Sequence, residues 1–117
     1  MIYKYLLVNL SEKRSDKQAA PALKALGEPR RVEILRVLQD GGPYAVGEIA
    51  TQVDISQQAV SQHLAILSRA GLVEARKEGT RSLYSINPNG FAPVETFLRT
   101  FWMPKLEALK ADLEKKR

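Results

Sequence analysis

This sequence predicts a mainly α domain carrying one small β-hairpin, and three observations predict it. Apolar residues up to Leu67 recur at helical spacings of three and four, the pattern turns strand-like between Leu72 and Ile86, and helical spacing returns from Pro93 to Lys115. Gly and Pro punctuate the changes, at Gly27 before Pro29, at Gly41-Gly42-Pro43, at Gly79 and at Asn87-Pro88-Asn89-Gly90. The 117 residues are enough for a single domain with its own core.

Composition removes several functions. There is no cysteine, so disulfides and thiolate metal sites are excluded, and a lone histidine, His63, cannot build a histidine metal cluster. No apolar run approaches the roughly 20 residues that cross a bilayer. The run Tyr5-Leu6-Leu7-Val8 is shorter than a signal-peptide core of about 7 residues or more. A cytoplasmic protein is expected. The net charge of +5 favours a polyanionic partner, yet residues 30–86 carry seven basic and six acidic side chains. Attraction to phosphate therefore has to come from local clusters, Arg30-Arg31 and Arg76-Lys77-Arg81.

Taken in order, residues 1–17 are expected to form an N-terminal arm. Ile2, Tyr5, Leu6 and Leu10 suit a helical stripe, and Tyr3, Tyr5 and Leu7 suit one face of a strand; the helical form is preferred. The segment is too apolar for an ordinary disordered tail. Gln18 to Leu26 reads as a short helix, with Pro21 tolerable near its first turn and Gly27 as its stop. Pro29 suits the first position of the next helix, PRRVEILRVLQD, with Val32, Leu35 and Leu38 expected inward. A third helix runs from about Ala45 to Val53, with Val46, Ile49, Ala50 and Val53 inward.

Only Asp54-Ile55-Ser56 separates that helix from the next, which starts behind the N-cap Ser56. Two helices joined so tightly form a helix-turn-helix, whose second helix is the usual reader of the major groove. Val60, Leu64 and Leu67 make its buried seam at i, i+4 and i+7. Gln58, Ser61, Gln62, Ala65 and Arg69 fall opposite, with no acidic and no large apolar residue among them. A glutamine amide both donates and accepts, which matches the N6 and N7 edge of adenine. In isolation this face would pass for an ordinary solvated one; its neighbours argue otherwise.

Leu72–Lys77 and Arg81–Ile86 read as strands around the turn Glu78-Gly79-Thr80, a hairpin with a basic tip. Alone it is an ordinary charged hairpin. Behind a recognition helix it is a wing, and its Arg and Lys would hold phosphate rather than specify sequence. After Asn87-Pro88-Asn89-Gly90 comes a long amphipathic helix. Val94, Phe97, Leu98 and Phe101 form one stripe, continued by Trp102, Leu106, Leu109 and Leu113. Pro104 is expected to kink or split it. So many large apolar groups exceed what a small domain needs to cap its core, so self-association is preferred over an intramolecular lid.

LGEPRRVEIL at 26–35, EIATQVDISQQAVSQHLAILSRAGLV at 48–73 and EGTRSLYSI at 78–86 together resemble the ArsR family of bacterial winged helix-turn-helix repressors, over about residues 18–113. The resemblance implies a homodimer built from the first and last helices, with residues 18–117 serving DNA binding and dimerisation on an inverted-repeat operator. Leu23, Phe97, Phe101, Trp102, Leu106 and Leu109 would line its interface. Gln57, Gln58, Ser61 and Gln62 would read bases, although the helical wheel sets Gln57 nearer the seam. Arg30, Arg31, His63, Arg69, Arg76, Lys77 and Arg81 would hold the DNA backbone.

The departures point to the metal-independent branch. Metal-sensing members carry Cys-x-Cys where this chain has Ala45-Val46-Gly47, and residues 87–117 contain no histidine. No metal and no cofactor is therefore expected. An enzyme is disfavoured, since no nucleophile–base pair can be assembled. The rival reading is a winged-helix protein-interaction module without sequence-specific DNA binding. An acidic reading face or wing tip would have signalled it.

Overall fold

The computed structural model describes residues 16–116. The expected arm at residues 1–17 therefore lies outside the described residues, except for residues 16 and 17, which are helical. At the centre is α4 (Gln57–Arg69), whose Val60, Leu64 and Leu67 are completely buried. Spacings of four and three put them on one stripe, and the preceding helices close over it. The first helix, α1 (residues 16–26), brings in Ala19, Ala22 and Ala25, side chains small enough for close helix packing. Then α2 (Pro29–Gly41) contributes Ile34, Leu35 and Leu38, and α3 (Val46–Val53) contributes Ile49, Ala50 and Val53.

The helix ends are set by local chemistry. Pro29 opens α2, where its missing N–H breaks no helical bond, and the Glu28 carboxylate accepts from the Arg31 N–H at 3.2 Å. At α3 the Glu48 carboxylate reaches back to the Ala45 N–H at 3.0 Å. At α4 the Ser56 hydroxyl accepts from the Ala59 N–H at 3.1 Å, the cap the sequence predicts. Between α3 and α4, Asp54 turns the chain in the left-handed region, at φ 60°, which a short polar side chain tolerates.

Strands β1 (Val73–Glu78) and β2 (Arg81–Ile86) pair antiparallel, from Val73 opposite Ile86 to Glu78 opposite Arg81. Glu78 is still paired, so the turn is Gly79-Thr80, one residue shorter than expected. Gly79 at φ 64° supplies the left-handed first position that such a turn needs. The root of the hairpin is tied to the loop before α3, where Tyr44 and Tyr84 exchange backbone hydrogen bonds of 3.0 and 2.8 Å.

Pro88–Phe91 forms a 3-10 turn that leads into α5 (Ala92–Lys115). Asn87 docks this turn on the end of α4, its side chain donating to the Gly71 carbonyl at 3.1 Å and its N–H to the Leu72 carbonyl at 2.9 Å. Gly90 passes so near that a Cβ there would overlap the Gly71 carbonyl oxygen. The last helix is thereby hung from the end of α4.

Three further expectations need correction. Val32 is not inward but 39% exposed. At about 100° per residue, Ile34, Leu35 and Leu38 share an arc of about 100° that Val32 lies outside. Pro104 does not split the last helix, which runs unbroken from Ala92 to Lys115. A proline inside a helix costs about 3 kcal/mol, and good helix formers on both sides offset that cost. Pro21 is the third: with the helix already formed at residue 16, it lies beyond the first turn. No helix among the described residues is long and apolar enough to cross a membrane.

Candidate nucleic-acid interface

Burial of the α4 seam leaves the opposite face outward. Gln57, Gln58, Ser61, Gln62, Ala65 and Arg69 are all exposed. No side-chain hydrogen bond within the described residues engages Gln58, Ser61 or Gln62, so their donors and acceptors are available to a partner. Gln57 differs, because its amide nitrogen leans over Gly47 of α3, 3.4 Å from where a Cβ there would sit. The four expected base readers are therefore on one helix end, with three free and one resting on the preceding helix.

The expected backbone contacts are arranged around that face, and most are already held in the protein. Arg30 pairs with Glu33 at 3.1 Å and donates to the Val53 carbonyl at 3.3 Å, tying α2 to the end of α3. Arg31 Nε donates to the Ala25 carbonyl at 2.6 Å, and its Nη1 lies 3.4 Å from His63 Nδ1. Because a guanidinium only donates, any hydrogen bond at that contact would use Nδ1 as its acceptor. Arg69 Nε faces the Ala65 carbonyl at 3.4 Å.

On the wing, Arg76 lies 3.4 Å from Glu78, and Arg81 reaches across to Glu48 of α3 at 2.7 Å. Lys77 is exposed and has no ion pair among the described residues. Glu48 is the residue that sequence reasoning missed. Its place three residues into α3 signals a cap, but its pairing with Arg81 is a tertiary contact with no local signature. One carboxylate thus serves both the start of the helix-turn-helix and the orientation of the wing.

The apolar residues expected at an interface divide. Leu23, Phe97 and Leu98 pack against the core, and the Phe97 and Phe101 rings meet edge to face at 5.0 Å. Beyond them Phe101, Trp102, Leu106 and Leu109 are 50–60% exposed. These form an apolar stripe with no cover among the described residues, of the kind that marks an interaction surface. The described residues contain no group of three or more His, Cys, Asp or Glu placed to hold a metal ion.

Comparison with known proteins agrees with this geometry. The family described as bacterial regulatory protein, arsR family, matches residues 28–75. A helix-turn-helix-type transcriptional regulator of Mycobacterium tuberculosis is 44% identical over 81 residues, spanning 69% of this chain and 75% of the relative. The transcriptional activator HlyU of Vibrio cholerae is 41% identical over 81 residues, spanning 68% and 74%. Among solved structures, the homodimeric winged helix-turn-helix DNA-binding domain of an ArsR-family candidate from Mycobacterium bovis aligns at a TM-score of 0.61. It is 37% identical and covers 79% of this chain and 84% of that one. The chain belongs to the arsR family of bacterial regulatory proteins and carries their winged helix-turn-helix fold.

Proposed function

We propose that this protein is a cytoplasmic transcriptional repressor that binds double-stranded DNA sequence-specifically as a homodimer on an inverted repeat. The observation that carries the reading is the free, acid-free face of Gln58, Ser61 and Gln62 on a helix whose other side is locked in the core. Gln58 and Gln62 sit one turn apart and can address neighbouring base edges. Gln57 joins them once its amide leaves Gly47. Arg30, Arg31, His63, Arg69, Arg76, Lys77 and Arg81 hold the sugar-phosphate backbone and set the register. Repression follows from occupancy, because a dimer seated over a promoter excludes polymerase. The protein acts by binding, not catalysis, and needs no metal.

Dimerisation through the first and last helices uses Leu23, Phe97, Phe101, Trp102, Leu106 and Leu109 and presents two recognition helices related by a two-fold axis. Half-sites then lie about one helical turn of DNA apart, or a multiple of it. Selection of bound sequences from random duplexes tests the proposal. The expected result is an inverted repeat with defined bases in each half. Recovery of unrelated sequences, with retention on DNA that is lost uniformly in salt, would replace it with a winged-helix protein-interaction module.

A further inference from the structure

A cavity of about 340 Å³ opens between α1, α2 and the C-terminal half of α4. Lys24, Arg31 and Arg69 line it together with the apolar groups of Pro21, Ile66 and Ala70, and no acidic residue among the described residues takes part. Neither Lys24 nor Arg69 forms an ion pair among the described residues. Arg31 is fixed in place by its bond to the Ala25 carbonyl. Three cationic residues around one concavity, with no acidic residue among the described residues that line it, favour positive potential there. A guanidinium fork is shaped to take a carboxylate or phosphate.

Size and lining narrow the ligand. Small-molecule pockets run about 300–1,000 Å³ and are mostly apolar, with a few placed polar groups. This cavity fits that description at the lower end. A bare oxyanion would leave the apolar wall made by Pro21, Ile66 and Ala70 uncovered. We propose that the cavity binds a small amphipathic anion, a phosphate or carboxylate carried on a compact ring or short acyl body, and that this ligand competes with DNA for Arg31 and Arg69. The competition rests on the DNA-binding role proposed above; the binding site does not. Arg69 stands on the recognition helix, and Arg31 touches His63, the neighbour of Gln62. A ligand anion would therefore neutralise the cations that flank the reading face.

The experiment is a titration of the full chain with phenyl phosphate, followed by amide ¹H–¹⁵N spectra, with inorganic phosphate and phenol as comparisons. Saturable shifts are expected on α1 and on the C-terminal half of α4. Phenyl phosphate should bind at least tenfold more tightly than either comparison, and Lys24→Gln or Arg69→Gln should weaken it at least tenfold. Equal binding of inorganic phosphate, shifts scattered over the surface, or indifference to both substitutions would overturn the site. On a selected operator, phenyl phosphate at a concentration that saturates the parent should raise the parent's dissociation constant at least tenfold and that of Lys24→Gln by much less. An unchanged parent constant overturns the competition. A chain that selects no operator fails the DNA reading and takes the competition with it, while the titration still decides the cavity.

Discussion

Gln62 and Lys77 are proposed to carry the separate tasks of a reader and an anchor, and each role can be tested by one substitution. Gln62 has no partner within the described residues, so removing its amide costs the fold nothing. Gln62→Ala should weaken operator binding by about 1–3 kcal/mol per half-site, as expected for a bidentate base contact. Non-operator DNA should lose much less. Equal loss on both kinds of DNA, measured by fluorescence anisotropy, would reduce Gln62 to a backbone contact. Lys77 is the wing cation with no ion-pair partner among the described residues, whereas Arg76 faces Glu78 and Arg81 is drawn to Glu48. Lys77→Ala should therefore weaken all sequences alike and lower the slope of log K against log salt by about 0.9 for each phosphate left without its cation. An unchanged slope would remove Lys77 from the interface.

At the scale of elements, orientation depends on a few backbone contacts rather than on surface ion pairs. Ser56 fixes where the recognition helix begins, and Ser56→Ala should cost about 0.5–2 kcal/mol of stability in urea unfolding. The junction into α5 is less forgiving. A side chain at Gly90 meets the backbone of Gly71, which cannot swing away as a side chain would. Gly90→Ala should destabilise the domain by about 1–3 kcal/mol, the usual cost of overpacking. Urea midpoints identical to those of the parent would mean that the turn can shift off α4 without cost. The Arg81–Glu48 bridge, although short at 2.7 Å, joins two side chains that are 60% and 48% exposed. Exposed pairs contribute about 0–1 kcal/mol. Its value lies in aiming the wing, since Glu48 is itself held by the Ala45 N–H.

At the scale of the whole molecule, the described residues form an elongated body, 58 × 36 × 23 Å, because much of the 24-residue α5 extends past the core it starts on. Only Val94 of this helix is buried, while Leu106 remains 52% exposed. Covering a leucine contributes about 1.5–3 kcal/mol, and a two-fold interface counts it twice. Leu106→Asp should therefore yield monomers in sedimentation with the domain still folded. Operator affinity should fall with it, since a monomer meets one half-site. Trp102 is the single tryptophan, so its emission should move to the red on dilution. A stable monomer of the parent chain at micromolar concentration, with emission indifferent to dilution, would make α5 a free helix and end the dimer proposal.

Sequence alone determined what depends on period and local chemistry. The Val60, Leu64 and Leu67 seam, the Ser56 cap, Pro29 at the head of α2, the three-residue turn and the hairpin were all legible, because each is encoded within a few residues. The polar face of α4 was legible for the same reason, as the complement of its seam. Tertiary structure decided what depends on distant neighbours. Val32 fell outside the buried arc because α2 is rotated by what packs on it. Arg81 found Glu48, Arg31 found Ala25 and His63, and Gly90 found Gly71 across chain separations that no periodicity reports. The three-cation cavity has the same origin. Lys24, Arg31 and Arg69 share no local pattern, and only the packing of α1 and α2 on α4 brings their charges together.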